Sequence, residues 1–130
     1  MSAPLISIID DDRSVLLALA GLLRSFGFAV EAYDTAEAFL RSDTRETSDC
    51  IITDIHMPGF GGIELKQWLD AHANATPVIM ITARPEAHLH AQALASGAVC
   101  LLKKPFDSAA LLTSLRRARI TATAADGPDP

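Results

Sequence analysis

Apolar runs of strand length recur five times along the chain, at Leu5 to Ile9, Phe28 to Ala32, Cys50 to Thr53, Val78 to Thr82 and Val99 to Leu102. Most are continuous rather than alternating, the pattern of a strand covered on both faces. Between them lie segments with helical spacing. The clearest places Val15, Leu16, Leu19, Leu22, Leu23 and Phe26 on one face and stops at Gly27. Asp34 followed by Glu37 reads as a capping box opening a second helix through about Ser42, with Phe39 and Leu40 inward. Leu65, Trp68, Leu69 and His72 mark one face of a third, entered through the turn Pro58-Gly59-Phe60-Gly61-Gly62. Pro85 suits the first turn of a fourth, which Gly97 ends. Asp107 caps a fifth, whose buried stripe is Leu111, Leu112, Leu115 and Ala118.

Strand then helix, five times over, with connections too short for anything but right-handed crossovers, predicts an α/β fold. It is a doubly wound, five-stranded parallel sheet with helices on both faces. Residues 4–120 make one domain, and residues 121–130, which lack large apolar side chains, are expected to be a disordered tail or the start of a linker to an absent output domain.

Composition narrows the class. With 130 residues, 49% of them hydrophobic and 21% charged, the chain can build an ordinary core without metal or disulfide staples. Cys50 and Cys100 fall in or beside apolar strands, with no ligand spacing around them, and read as core thiols. No apolar stretch is long enough to span a bilayer and Met1 to Pro4 lacks a cationic start, so a cytoplasmic location without membrane contact is expected. A net charge of −5 argues against direct nucleic-acid binding by this domain.

The chemistry gathers where the strands end. Asp10, Asp11 and Asp12 follow the first run, Asp54 the third, Thr82 closes the fourth and Lys104 follows the fifth. Open parallel sheets bind ligands outside the carboxyl ends of their strands. Adjacent carboxylates disfavour one another's ionised forms, so a cation or a lysine is the natural compensation. Two or three hard oxygen ligands suit Mg²⁺ with water and a phosphate oxygen completing the shell. Lysine supplies a point charge for a second phosphate oxygen, and the Thr82 hydroxyl can donate to a third.

Over residues 4 to 119 these motifs, Ile-Ile-Asp10-Asp11-Asp12, Thr53-Asp54-Ile55-His56-Met57-Pro58-Gly59, Ile81-Thr82-Ala83 and Lys103-Lys104-Pro105-Phe106, resemble the receiver domain of two-component response regulators, especially the FixJ type. The resemblance implies a flavodoxin-like (βα)5 receiver in phosphorelay signalling. Asp54 would be the phosphoacceptor, taking a phosphoryl group from a sensor histidine kinase or a small acyl phosphate. Mg²⁺ or Mn²⁺ would be held by Asp11 and Asp54 directly, by the His56 backbone carbonyl, and by Asp10 through water. Lys104 would contact the phosphoryl group, Thr82 would move toward it, and the Lys104-Pro105 bond would be cis. Such a domain helps phosphorylate itself, loses the group slowly and is not otherwise an enzyme. Its output would be transcriptional control through a further domain or partner protein, and phosphorylation would favour a homodimer through the fourth helix, fifth strand and fifth helix.

The chain departs from that family where an aromatic switch residue often stands three places before the lysine; here it is Leu101. Its activation signal is therefore expected mainly in backbone shifts after Thr82 and on the face of the fourth helix and fifth strand. His56 reads as a solvent-facing loop histidine that contributes its carbonyl. Asp12 reads as a helix cap rather than a further ligand, and Arg116, Arg117 and Arg119 as cations at a helix C-terminus. Lys103 is expected to face solvent, Trp68 to join the core, and His72, His88 and His90 to have surface roles. Two other readings compete: a phosphorylation-independent receiver-like binding module, and a haloacid-dehalogenase-type aspartyl phosphatase, for which Asp10 and Asp12 have the right spacing.

Overall fold

A computed structural model describes residues 3–121 apart from Pro85. Strands β1 (Leu5–Ile9), β2 (Ala29–Tyr33), β3 (Cys50–Asp54), β4 (Val78–Thr82) and β5 (Cys100–Lys103) form one parallel sheet in the order β2-β1-β3-β4-β5. Helices α1 (Arg13–Ser25), α2 (Ala36–Leu40), α3 (Thr44–Thr47), α4 (Gly62–Ala71), α5 (Ala87–Ala95) and α6 (Ser108–Arg117) fill the connections. The chain winds one way from β1 to β2 and the other from β3 onward. The order thus reverses between β1 and β3, where Ile9 registers with Thr53, and Asp10 and Asp54 leave the sheet side by side.

Two apolar layers sandwich the sheet. On one side Leu19 and Leu23 of α1 and Leu111 and Leu115 of α6 pack over Ile6, Ile8, Ile52 and Ile79. On the other, Phe39 of α2, Leu65 and Leu69 of α4 and Leu89 of α5 cover Ile9, Ile51 and Met80. β3 and β4 are buried along their whole length, as their unbroken apolar runs require. Ser7, buried in β1, is satisfied by the Ser48 hydroxyl at 2.6 Å.

Local signals place the helix ends. The Asp12 carboxylate accepts from the amides of Ser14 and Val15 at the start of α1, and Gly27, at φ 97°, follows its end. Asp107 accepts from the Ala110 amide to open α6.

The second helix corrects the sequence reading. β2 runs on through Tyr33, so the chain turns one residue later than expected, and the cap is Thr35, whose Oγ1 accepts from Ala38 N at 3.0 Å, not Asp34. The helix ends at Leu40, and the separate turn of α3 follows it. His72, expected at the surface, is the exposed C-cap of α4, and its ring stacks on half-buried Trp68 at 3.6 Å. The expectation for Pro85 lies outside the described residues, and α5 opens at Ala87 after Glu86. The expected tail likewise falls almost wholly outside them. Among the described residues no helix is long and apolar enough to cross a membrane.

Candidate functional site

At the carboxyl end of the sheet the last residues of β3 and β4, Asp54 and Thr82, meet Asp10, Asp11 and Lys104 from the loops after β1 and β5. Asp10 is fully buried and Asp54 is 6% exposed, whereas Asp11 is open to solvent. One carboxylate oxygen from each of the three lies within 4.8 Å of the others. Lys104 reaches in from the loop after β5, where the Lys104-Pro105 peptide is cis and Lys104 N donates to Thr82 O at 2.7 Å. Its ammonium sits 3.0 Å from Asp54 Oδ2, to which it donates, and 2.8 Å from Asp10 Oδ2. The second approach is an ion pair, so Lys104 is the one cation that compensates the buried Asp10 Oδ2 among the described residues. Asp10 Oδ1 accepts from Asp12 N at 2.9 Å.

The charges explain one another. Burial pushes the Asp54 carboxyl above its ordinary range and the neighbouring Asp10 adds to this, against the opposing His56 amide and Lys104. Burial by itself would lower Lys104, but Asp10 and Asp54 outweigh it and hold the lysine above its usual value. Asp12 stands apart: the Ser14 hydroxyl and the amides of Ser14 and Val15 hold it below the usual range. It is spent on the helix cap, which removes the second acid on which the phosphatase reading depended.

Thr82 is 1% exposed and its hydroxyl faces its own loop, accepting from Arg84 N at 3.0 Å. His56 donates its backbone N–H to Asp54 Oδ1 at 3.0 Å. Its ring corrects the expectation of a solvent-facing histidine. It is half-buried, with Nε2 covered and without a hydrogen-bond partner among the described residues. Leu101 is half-buried against the layer that contains Leu89 and Ala93 of α5, and Lys103 is exposed. Glu64, which the sequence did not single out, accepts from Gly61 N at 3.1 Å. Glycine in the cap position carries no capping side chain to draw the eye to a partner three residues on.

The residues fit a hard divalent cation. All the side-chain ligand atoms are carboxylate oxygens, one from each of three acids, and the single lysine beside them leaves their negative charge in excess. Two buried acids, one more at the rim and one lysine form the charge pattern of a site for phosphoryl oxygens and a metal.

The family model for the response regulator receiver domain matches residues 6–116. The chain belongs to this family. It is 40% identical over 111 residues to the transcriptional regulatory protein FixJ of Azorhizobium caulinodans, covering 85% of this chain and 53% of that protein. It is 35% identical over 116 residues to the response regulator protein TodT of Pseudomonas putida, covering 89% and 51%. The chain thus spans about half the length of these curated relatives. The solved structure of FixJ-N superposes with a TM-score of 0.81 at 32% identity, covering 91% of this chain and 94% of that one. A response regulator receiver protein from Burkholderia phymatum superposes at 0.78 with 38% identity, covering 92% and 98%. This receiver domain therefore has the phosphorelay signalling role of its family, whose members bind Mg²⁺ in an acidic pocket.

Proposed function

We propose that Asp54 is the phosphoacceptor of this receiver. An Asp54 oxygen forms the new P–O bond as the donor's bond breaks, P–N in a phosphohistidine or P–O in an acyl phosphate. The observation that carries the reading is the Lys104 ammonium lying between the buried Asp54 and Asp10. Asp11 and Asp54 would hold Mg²⁺ or Mn²⁺ directly, with the His56 carbonyl, and Asp10 would act through water. Bound there, the cation supplies positive charge opposite the phosphoryl oxygens. Lys104 neutralises a second oxygen and orients the group for in-line displacement, which is most of what phosphoryl transfer requires.

Once Asp54 carries the group, Thr82 turns its O–H from Arg84 O, to which it donates at 3.4 Å, to a phosphoryl oxygen. That exchange frees the loop after β4 to shift, and with it Leu101 and the exposed side of α5 and β5. A sensor histidine kinase in the cytoplasm is the proposed donor. A transcriptional output domain or partner protein reads the shifted face, and pairing of two phosphorylated copies across it accompanies activation. Residues 4–120 are the proposed receiver unit, followed by a tail or linker.

Beryllofluoride with Mg²⁺ mimics the phosphoryl group and tests the reading by amide NMR. Shifts should centre on Asp54 and spread through residues 83–103, and Asp54→Asn should abolish them. Unchanged resonances over 83–103 would sink the proposed switch, and shifts that survive Asp54→Asn would sink the proposed acceptor.

A further inference from the structure

Between β3 and α4 the chain crosses from Ile55 to Gly61, and on the reading above this loop carries the His56 carbonyl to the cation. Backbone bonds tie its ends: Ile55 N donates to Ile81 O at 2.9 Å, and Gly62 N to Ile55 O at 3.2 Å. Between those ties the loop borders a hollow lined by His56, Met57, Pro58, Gly61 and Glu64. The imidazole does not anchor it through Nε2, which has no partner. Two side chains grip the loop backbone, Asp54 through the His56 amide and Glu64 through the Gly61 amide. Asp54 is the group that the reaction redeploys, so its grip changes during the cycle. Glu64 stays outside the reaction and its grip persists.

The need for that grip comes from Gly61. It is the N-cap of α4 and has no side chain with which to hold the first turn. Only the return half of a capping box remains, the bond from the Gly61 amide to Glu64 Oε1. We propose that Glu64 is a positioning residue: by holding the Gly61 amide it sets the height of the β3–α4 loop, and through the loop the affinity of the acidic site for Mg²⁺. The proposal rests on the His56 carbonyl being a ligand. It assigns the effect to the hydrogen bond rather than to the charge, so a glutamine, which keeps the acceptor, should serve as well.

Calorimetric titration of the full 130-residue chain with Mg²⁺, without phosphodonor, tests it. Glu64→Ala should raise the Mg²⁺ Kd about 3- to 10-fold, the span of one capping hydrogen bond, while Glu64→Gln stays within about 2-fold of the parent. Gln67→Gly, at an exposed position of the same helix, should weaken α4 and leave the Kd unchanged. With acetyl phosphate, Glu64→Ala should be slow only below saturating Mg²⁺ and match the parent above it. A parent-like Kd for Glu64→Ala would overturn the proposal. So would a Gln variant as weak as the Ala variant, which would mean charge, or an equal loss in Gln67→Gly, which would mean helix stability. Parent binding that survives Asp11→Ala would instead overturn the metal reading itself, a separate result.

Discussion

One substitution, glycine to alanine, should have opposite signs at two helical positions. Gly21 lies in the middle of α1, exposed, and a Cβ there would meet nothing within 4 Å. Alanine removes backbone freedom from the unfolded chain and suits a helix interior, so Gly21→Ala should stabilise by about 0.5–1 kcal/mol. Gly62 opens α4 against the end of β3. A Cβ there would sit 2.7 Å from Asp54 O, 3.1 Å from Thr53 Cγ2 and 3.3 Å from Asp54 C. Comfortable contacts of carbon lie near 3.5 Å or beyond, so the Asp54 backbone has to retreat by several tenths of an ångström. Overpacking of that kind costs about 1–3 kcal/mol, and weakening the bond from Gly62 N to Ile55 O adds up to about 1. Against a helix-propensity gain of at most about 1 kcal/mol, the net loss for Gly62→Ala is about 1–3 kcal/mol. Urea unfolding at pH 7 without Mg²⁺ measures both. Because the displaced atoms belong to Asp54, Gly62→Ala should also slow phosphorylation by acetyl phosphate, whereas Gly21→Ala should not. If Gly62→Ala were as stabilising as Gly21→Ala, the close approach of α4 to β3 would not exist as described.

Asp54 titrates above its ordinary range in the folded state, so the folded chain holds that proton more tightly than the unfolded one. The resulting stability is full below the ordinary Asp value of about 3.9 and is lost as pH rises through the raised folded value. Asp54→Asn, which does not titrate, should therefore gain on the parent in unfolding experiments as pH rises from about 4 to 7 without Mg²⁺; a constant difference over that window would refute this. Saturation with Mg²⁺ at about 100 times its Kd should stabilise the parent by about 2.7 kcal/mol, and Asp11→Ala should remove most of that gain in a thermal melt. Asp12→Ala should lower the melting temperature by uncapping α1 while leaving the Mg²⁺ Kd unchanged. A weakened Kd would return Asp12 to the ligand set.

The sheet was legible because strands covered on both faces need unbroken apolar runs; β1 and β4 match the reading residue for residue. α1 and α6 were legible from their stripes and their aspartate caps. α3 was not, since Thr44–Thr47 has no apolar period. Tertiary bonds hold it, with the Thr44 hydroxyl 2.6 Å from Tyr33 Oη and Arg45 donating to Leu40 O. The same limit applies in the site. Alternation of strand and helix fixes which residues reach the crevice, so Asp10, Asp54, Thr82 and Lys104 could be placed from the sequence. Loop torsions decide where the Thr82 hydroxyl and the His56 ring point, and no periodicity encodes those. Glu64 escaped notice because its partner is a backbone amide.

Intact mass after incubation with Mg²⁺ and acetyl phosphate, for the parent chain and Asp54→Asn, bears most directly on the central claim. The account predicts a gain of one phosphoryl group in the parent that disappears with a chelator and in Asp54→Asn. A parent that stays at its starting mass with the donor unconsumed, or an Asp54→Asn chain that still gains the group, would contradict it.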